Sequence, residues 1–175
     1  MIHPTAMLLT HHAEMDSPLG RIRLGASDLG LSFVHFGDPN WAGPSSRESP
    51  APTHPEHPVI ALAIRELTAY FEGHLQVFTV PLAPRGTDFQ HAVWAELRKI
   101  PYGDRRAYRD IAHALGRPTA TRAVGAANGQ NPIGIIQPCH RVLGADGSLT
   151  GFAGGLAAKR WLLEHEHRHA AWSLR

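Results

Sequence analysis

With 175 residues, the chain is long enough for one domain of ordinary size or for a small domain joined to a larger one. Hydrophobic residues make up 43% of it and charged residues 18%, a balance too apolar for general disorder, and no apolar stretch approaches the roughly 18–20 residues of a membrane-spanning helix. The net charge of +2 hides an asymmetry: residues 1–97 carry five Arg and ten Asp or Glu, whereas residues 98–175 carry twelve Lys or Arg and five acids.

A basic C-terminal half fits contact with a polyanion such as DNA, against the alternative of an ordinary uneven surface. The N-terminus lacks the positive head and apolar core of a secretory signal, so no membrane partner is expected and a cytoplasmic location follows. The single cysteine, Cys139, excludes an internal disulfide and a structural zinc site built from several cysteines.

From Met7 to Phe36 the runs RIRLGA and LSFVHF, separated by turn signals at Ser17–Gly20 and Ser27–Gly30, predict antiparallel strands in a small sheet. Residues 37–58, rich in Pro, Ser and Gly, predict a flexible loop. Apolar residues at helical spacing follow from Pro58 to Glu72, stopped by Gly73, and VFTVPL (77–82) predicts a short strand. A second unit opens at Thr87 with a helix-capping signal, and Phe89, Val93, Leu97 and Ile100 share one face of the helix it starts. Two short helices, Ala107–Leu115 and Thr119–Gly129, flank a Gly-containing break, which is the outline of a helix-turn-helix. The apolar run Ile133–Ile136, the segment Pro138-Cys139-His140-Arg141-Val142, a turn at Gly144–Ser148 and a helix from Gly155 to His169 complete the chain.

A thiol attacks as thiolate, so a nucleophilic cysteine needs a base or a positive field. Cys139 has His140 and Arg141 beside it, and at a turn after Pro138 the imidazole would reach the sulfur directly or through water. Spacing alone leaves open a second reading, a buried structural cysteine.

The run NPIGIIQPCHRVLGADGSLTGFAGGLAAKRWLLEHE from Asn131 resembles the active-site segment of the O6-alkylguanine-DNA alkyltransferases, the methylated-DNA–protein-cysteine methyltransferases, in their bacterial Ogt-like form. Upstream, FQHAVWAELRKIPYGDRRAYRDIAHALG is similar to the same family's helical segment, and the match runs unbroken from Phe89 to Glu166. Before Phe89 the likeness is confined to the SPLG and DLGL turns. The resemblance implies an α+β fold in two domains. Residues 1–86 would form a small, ribonuclease H-like antiparallel sheet with a helix. Residues 87–175 would form a helical, winged helix-turn-helix-like domain carrying the cysteine.

It also implies roles. Cys139 would accept an alkyl group from O6 of guanine or O4 of thymine and, with no step to release it, act once. His140 would relay the thiol proton through water, Glu166 would orient that histidine in its cationic form, and Tyr108 would neutralise the leaving purine. Lys159 would lie beside the pocket, whose other members are Asn131, Val142, Phe152 and Ala153, with backbone groups near Cys139 and Val142 accepting from the guanine amine. The base must leave the duplex to reach a cysteine. Arg122 would fill its place in the stack, and Thr119, Thr121, Ala123, Ala126, Asn128 and Arg141 would meet DNA through the minor groove. Read without the family, Glu166 is a solvated helix-end charge and Tyr108 a core tyrosine at a helix start.

Three positions depart from the family's pattern: Phe152 replaces a frequent tyrosine, Gln137 stands where an apolar residue is usual, and Asn128 replaces an apolar base-packing residue. The histidines at 11, 12, 165, 167 and 169 suggest metal tracts, but the C-terminal set reads as a solvated helix end, and no metal or cofactor is expected. The expected partner is double-stranded DNA containing alkylated bases, met by a monomer. Two rivals are a lesion-binding relative without transfer activity, disfavoured by the intact PCHRV, and a helix-turn-helix regulator.

Overall fold

The computed structural model describes residues 11–37 and 53–170. Strands β1 (His11–Ser17), β2 (Gly20–Ser27) and β3 (Gly30–His35) form an antiparallel sheet in that order. The β1–β2 turn closes where the Ser17 hydroxyl donates to the Gly20 carbonyl at 2.6 Å, with Gly20 at a φ of +90° that disfavours a side chain. Alternation along β2 puts Ile22, Leu24 and Ala26 on one fully buried face.

Helix α1 (Pro58–Phe71) covers that face with Ile60, Ala63, Leu67 and Tyr70, spaced at three and four residues. Each large member contributes about 1.5–3 kcal/mol by leaving water. Proline at the first helical position presets φ, and Gly73 at +79° allows the exit turn. Most of the expected loop, residues 38–52, lies outside the described residues, as do residues 1–10 and 171–175. The rest of that loop is ordered against the sheet, since the His54 amide donates to the His12 carbonyl at 2.9 Å.

Residues 77–82 are not a strand. The Thr79 and Val80 amides donate to the buried Glu66 carboxylate of α1 instead of to a neighbouring strand, and only Leu82 makes a bridge, to Leu31. A side-chain acceptor has replaced the ladder that the β-branched run alone suggests.

Helix α2 (Asp88–Arg98) starts from a capping box in which Thr87 and Gln90 satisfy each other's backbone amides. A two-residue strand β4 (Arg106–Ala107) leads into α3 (Tyr108–Ala114), and α4 (Thr121–Gly129) follows a turn with Gly116 at φ +67°. These two helices are the helix-turn-helix, with Thr119 in the turn rather than in the second helix. Strand β5 (Val142–Leu143) pairs with β4 in parallel, and α5 (Leu156–Ala170) closes the fold.

The buried side chains form two cores. The first joins the sheet and α1 to Ile133, Ile135, Ile136 and Leu162, and the second gathers Val93, Trp94, Leu97, Ile111, Val124, Cys139 and Val142 around α2, α3 and α4. The seam between them is the stretch 132–136, which lies along β3: the Val34 amide donates to the Pro132 carbonyl at 2.9 Å. Within it Ile135 holds φ at +70°, unusual for a β-branched residue, and is fully buried.

Candidate active site

The segment after Pro138 is a single 3-10 turn, Cys139–Arg141, rather than a strand. The difference has a consequence, because a strand would point Cys139 and His140 to opposite faces, whereas the turn buries both. Cys139 lines a cavity of about 480 Å³ bounded by β3 (Ser32–His35), Phe36, residues 129–132, Phe152 and Ala153. That volume is in the usual range for a small-molecule site. Glycine makes room for its wall: a Cβ on Gly154 would lie 2.4 Å from the Phe36 ring. Phe152 stands 5.9 Å from Phe36, so the aromatic wall is present without a tyrosine hydroxyl.

Behind the thiol lies a fully buried polar array. Glu166 Oε1 pairs with His140 Nε2 at 2.7 Å and accepts from the Tyr70 hydroxyl at 2.8 Å. Arg141 donates from Nε to Oε2 and from Nη2 to Oε1, each at 2.9 Å, and from Nη1 to the Ile100 carbonyl at 2.6 Å. The Gly103 amide also donates to Oε2. Glu166 is therefore no solvated helix-end charge. Although burial acts to raise its pKa, the hydrogen bonds and charges of His140 and Arg141 hold it well below the ordinary carboxylate range.

Arg141, expected at the DNA, is instead 5% exposed and committed to this ion pair. Its bidentate fork neutralises Glu166. Burial lowers the His140 pKa from the ordinary imidazole value despite the carboxylate beside it, a shift away from the cationic form. The other ring nitrogen, Nδ1, has no hydrogen-bond partner within the protein. Burial likewise raises the Cys139 pKa, opposed by the Asn131 amide and the Lys159 charge. Burial thus opposes charge on both members of the pair.

Lys159 is fully buried, and its ammonium donates to the Val142 carbonyl at 2.7 Å and the Thr150 carbonyl at 2.9 Å. It therefore already engages the carbonyl expected to receive a guanine amine. Asn131 pins the turn between α4 and the cysteine: its Nδ2 donates to the Gln137 carbonyl at 2.7 Å, and its Oδ1 accepts from the Ile133 amide at 3.0 Å. Tyr108 heads α3 half-buried, its hydroxyl accepting from Thr150 at 3.1 Å, and it is not among the residues lining the cavity.

On α4, Arg122, Ala123 and Ala126 are exposed and Thr121 is half-exposed, while Thr119 is exposed in the turn before it. Asn128 is 3% exposed and faces the second core, so it offers no surface to DNA in this state. The helix rotation that exposes positions 122, 123 and 126 turns 124, 127 and 128 inward.

Sequence reasoning missed Tyr70 and the buried role of Arg141. Tyr70 sits 96 residues from Glu166, a separation no local pattern signals. Of the three α5 histidines expected at a solvated helix end, His167 is exposed and His169 half-buried, but His165 departs from that reading. His165 is buried, with Nε2 2.8 Å from the Tyr70 carbonyl, and stacks on Trp161 at 4.8 Å. Among the described residues, His11, Asp28 and His57 are grouped closely enough to share a metal ion, all three ligand atoms lying within 4.8 Å. The two imidazoles there stack 3.8 Å apart.

A helix-turn-helix joined to a cavity that ends on a buried cysteine is the build of an enzyme that works on a base of a nucleic acid. Family models agree: the ribonuclease-like domain of 6-O-methylguanine DNA methyltransferase matches residues 10–84, and its DNA-binding domain matches residues 88–168. The chain is 47% identical over 156 residues to a methylated-DNA–protein-cysteine methyltransferase of Methanosarcina acetivorans, covering 89% of this chain and 97% of that one. A Mycobacterium tuberculosis protein of the same name is 44% identical over 164 residues, with 93% and 95% covered. The crystal structure of the M. tuberculosis O6-methylguanine methyltransferase superposes with a TM-score of 0.81, covering 91% of this chain and 93% of that one, at 44% identity. A structure of that organism's OGT in complex with DNA superposes with the same TM-score at 43% identity, covering 91% and 94%. The chain belongs to the 6-O-methylguanine DNA methyltransferase family.

Proposed function

We propose that Cys139 is the acceptor in this enzyme's reaction, the repair of alkylated DNA by transfer of the alkyl group to a protein cysteine. The observation that carries the assignment is the thiol at the cavity wall with the His140–Glu166 pair buried behind it. With Nε2 held by Glu166, the unpartnered Nδ1 of His140 is the atom that takes the thiol proton, directly or through water. The sulfur then attacks the alkyl carbon on O6 of guanine, or on O4 of thymine. The S–C bond forms as the C–O bond breaks, and its electron pair stays with the base, which takes up a proton. The role of meeting that charge falls by resemblance to the Tyr108 hydroxyl, which here accepts from Thr150 and does not line the cavity, and the Lys159 charge opposes the burial of the thiol. The thioether product has no route back to thiol, so each chain acts once.

Reaching the cavity requires the base to leave the stack. Arg122, exposed in the first turn of α4, is the residue we assign to the vacated place. Thr119, Thr121, Ala123 and Ala126 present small side chains that suit close approach to a minor groove with little reading of sequence. The protein acts on double-stranded DNA with alkylated bases as a monomer, in the cytoplasm. Among the described residues, no helix is long and apolar enough to cross a membrane.

Intact and peptide mass spectrometry after incubation with a duplex carrying one O6-methylguanine tests the assignment. The expected result is one added CH2 on the peptide containing Cys139, saturating at one per chain, and none in Cys139→Ser, which still binds the duplex. Tight binding with no adduct would make the protein a lesion-binding factor.

A further inference from the structure

Three side chains that alkyl transfer does not use meet where the sheet joins α1. His11 opens β1, Asp28 sits in the turn between β2 and β3, and His57 is the residue before α1. None of them lines the cavity of Cys139. Backbone pairing sets their approach, since the chain leading into α1 lies along the start of β1, with Thr53 bridged to His12. His57 occupies the N-cap position of α1 without making a side-chain cap, so its ring is free for another task. The imidazoles of His11 and His57 stack at 3.8 Å, and Asp28 Oδ1 lies 3.5 Å from Nε2 of the first and 3.7 Å from Nε2 of the second.

Hydrogen bonding does not account for this grouping. A bond from a ring N–H to an oxygen runs about 2.7–3.2 Å, so neither imidazole reaches the carboxylate. At the other nitrogen of each ring, Nδ1 is buried and has no hydrogen-bond partner among the described residues. Protonating both rings would set two cations 3.8 Å apart across the stack. A divalent ion removes the conflict by accepting a lone pair from each neutral imidazole and one from the carboxylate. Zinc bonds to nitrogen and oxygen of about 2.0–2.2 Å place the ligand atoms of a tetrahedral site about 3.3–3.6 Å apart, and the two Nε2–Oδ1 separations lie within a few tenths of that range.

We propose that His11, Asp28 and His57 form a binding site for one divalent cation of the zinc class, with water in the fourth position. Two nitrogens and one oxygen suit zinc, cobalt or nickel rather than calcium or magnesium, which take oxygen ligands. His54 stands at the rim, its ring edge-on to His11 at 5.3 Å and its Nδ1 3.3 Å from Glu56. Seating the ion spreads the stacked rings, which the position of His57 in the chain before the helix allows. Once bound, the ion ties the start of β1, the β2–β3 turn and the entry to α1, and so fastens the sheet to its helix.

Calorimetric titration with zinc and visible spectra with cobalt test the site in the full-length chain, free of any affinity tag and stripped with EDTA. One ion should bind per chain, cobalt should show the bands of a four-coordinate ion, and zinc at a hundredfold excess over Kd should raise the unfolding temperature by about 5–10 °C. His57→Gln and Asp28→Asn should each weaken binding by at least the roughly tenfold that losing even an outer-shell partner costs, and should abolish the rise. Asp28 is exposed, so Asp28→Asn without metal should unfold near the wild-type temperature, which separates a lost ligand from a lost fold. Cys139→Ser and His167→Gln should bind as the wild type does, which keeps the active-site thiol and the exposed end of α5 from being mistaken for the site. A wild type that binds no ion overturns the proposal. Binding that survives both His57→Gln and Asp28→Asn, or that is lost in Cys139→Ser, overturns it equally.

Discussion

Glu166, Arg141 and Lys159 are buried behind Cys139 with hydrogen-bond partners supplied, and removing one partner strands the others. Lys159 is the sharpest case. Its ammonium satisfies two carbonyls on the loop between the cysteine and α5 and also lies close enough to oppose the rise in the thiol pKa. Lys159→Met keeps the length of the side chain and leaves both carbonyls without that donor, which costs about 1–3 kcal/mol for each buried group. Thermal unfolding should show a fall of several degrees, and methyl transfer at neutral pH should slow beyond what the folded fraction explains. A variant that loses stability but transfers at the wild-type rate would confine Lys159 to the loop.

At the scale of elements, helix ends and faces decide what the domain presents. The Thr87–Gln90 box caps α2, whose buried face carries Val93, Trp94 and Leu97. Thr87→Ala should destabilise by about 1 kcal/mol, read as a drop of about 2–4 °C in unfolding temperature for a chain of this size, with transfer unchanged. Helix α4 has the opposite task, offering an exposed Arg122 among small residues. Arg122→Ala should slow repair of a methylated base in duplex far more than transfer from the free modified base. The salt dependence of duplex binding separates the two roles: a phosphate contact would lower the log–log slope by about 0.9, whereas an inserted arginine leaves the repair defect in excess of any change in slope.

For the whole molecule, the Glu166 array is a tie across the two cores. Tyr70 reaches it from α1, Arg141 and His140 from the cysteine turn, and the Gly103 amide from the loop after α2. Its linkage to pH has a definite sign. Glu166 has a folded pKa below its unfolded one, so its stabilisation is complete above the ordinary carboxylate pKa and is lost as pH falls toward the depressed folded value. His140, also depressed, adds a loss in the same direction as pH falls below the ordinary imidazole range, because the unfolded chain binds that proton first. Denaturant unfolding between neutral pH and pH 3 should therefore show declining stability. Glu166→Gln should be weaker at neutral pH by about 3–5 kcal/mol, since Arg141 is left buried without its counter-charge, and its decline with acid should be shallower. A variant with the wild-type slope would mean that other groups carry the acid dependence.

The sequence by itself determined the elements whose causes are local. Gly20 and Gly73 mark their turns, Thr87 its cap, and periodicity found α1, α2 and the two helices of the helix-turn-helix. The resemblance sustained from Phe89 to Glu166 pointed to the family, and with it to Cys139 and His140 as site residues. Local causes are legible because capping, turns and amphipathic spacing act within a few residues. Only the tertiary structure decided the fate of groups whose partners lie far along the chain. It turned VFTVPL away from a strand by offering Glu66 as acceptor and drew Arg141 off the surface to Glu166. It buried Asn128 and His165, linked Arg98 to Gln137, and brought Tyr70 to a carboxylate 96 residues away. A buried polar side chain must find a partner wherever the fold provides one, and that choice is made by the packing of the two cores, which no short stretch of sequence contains.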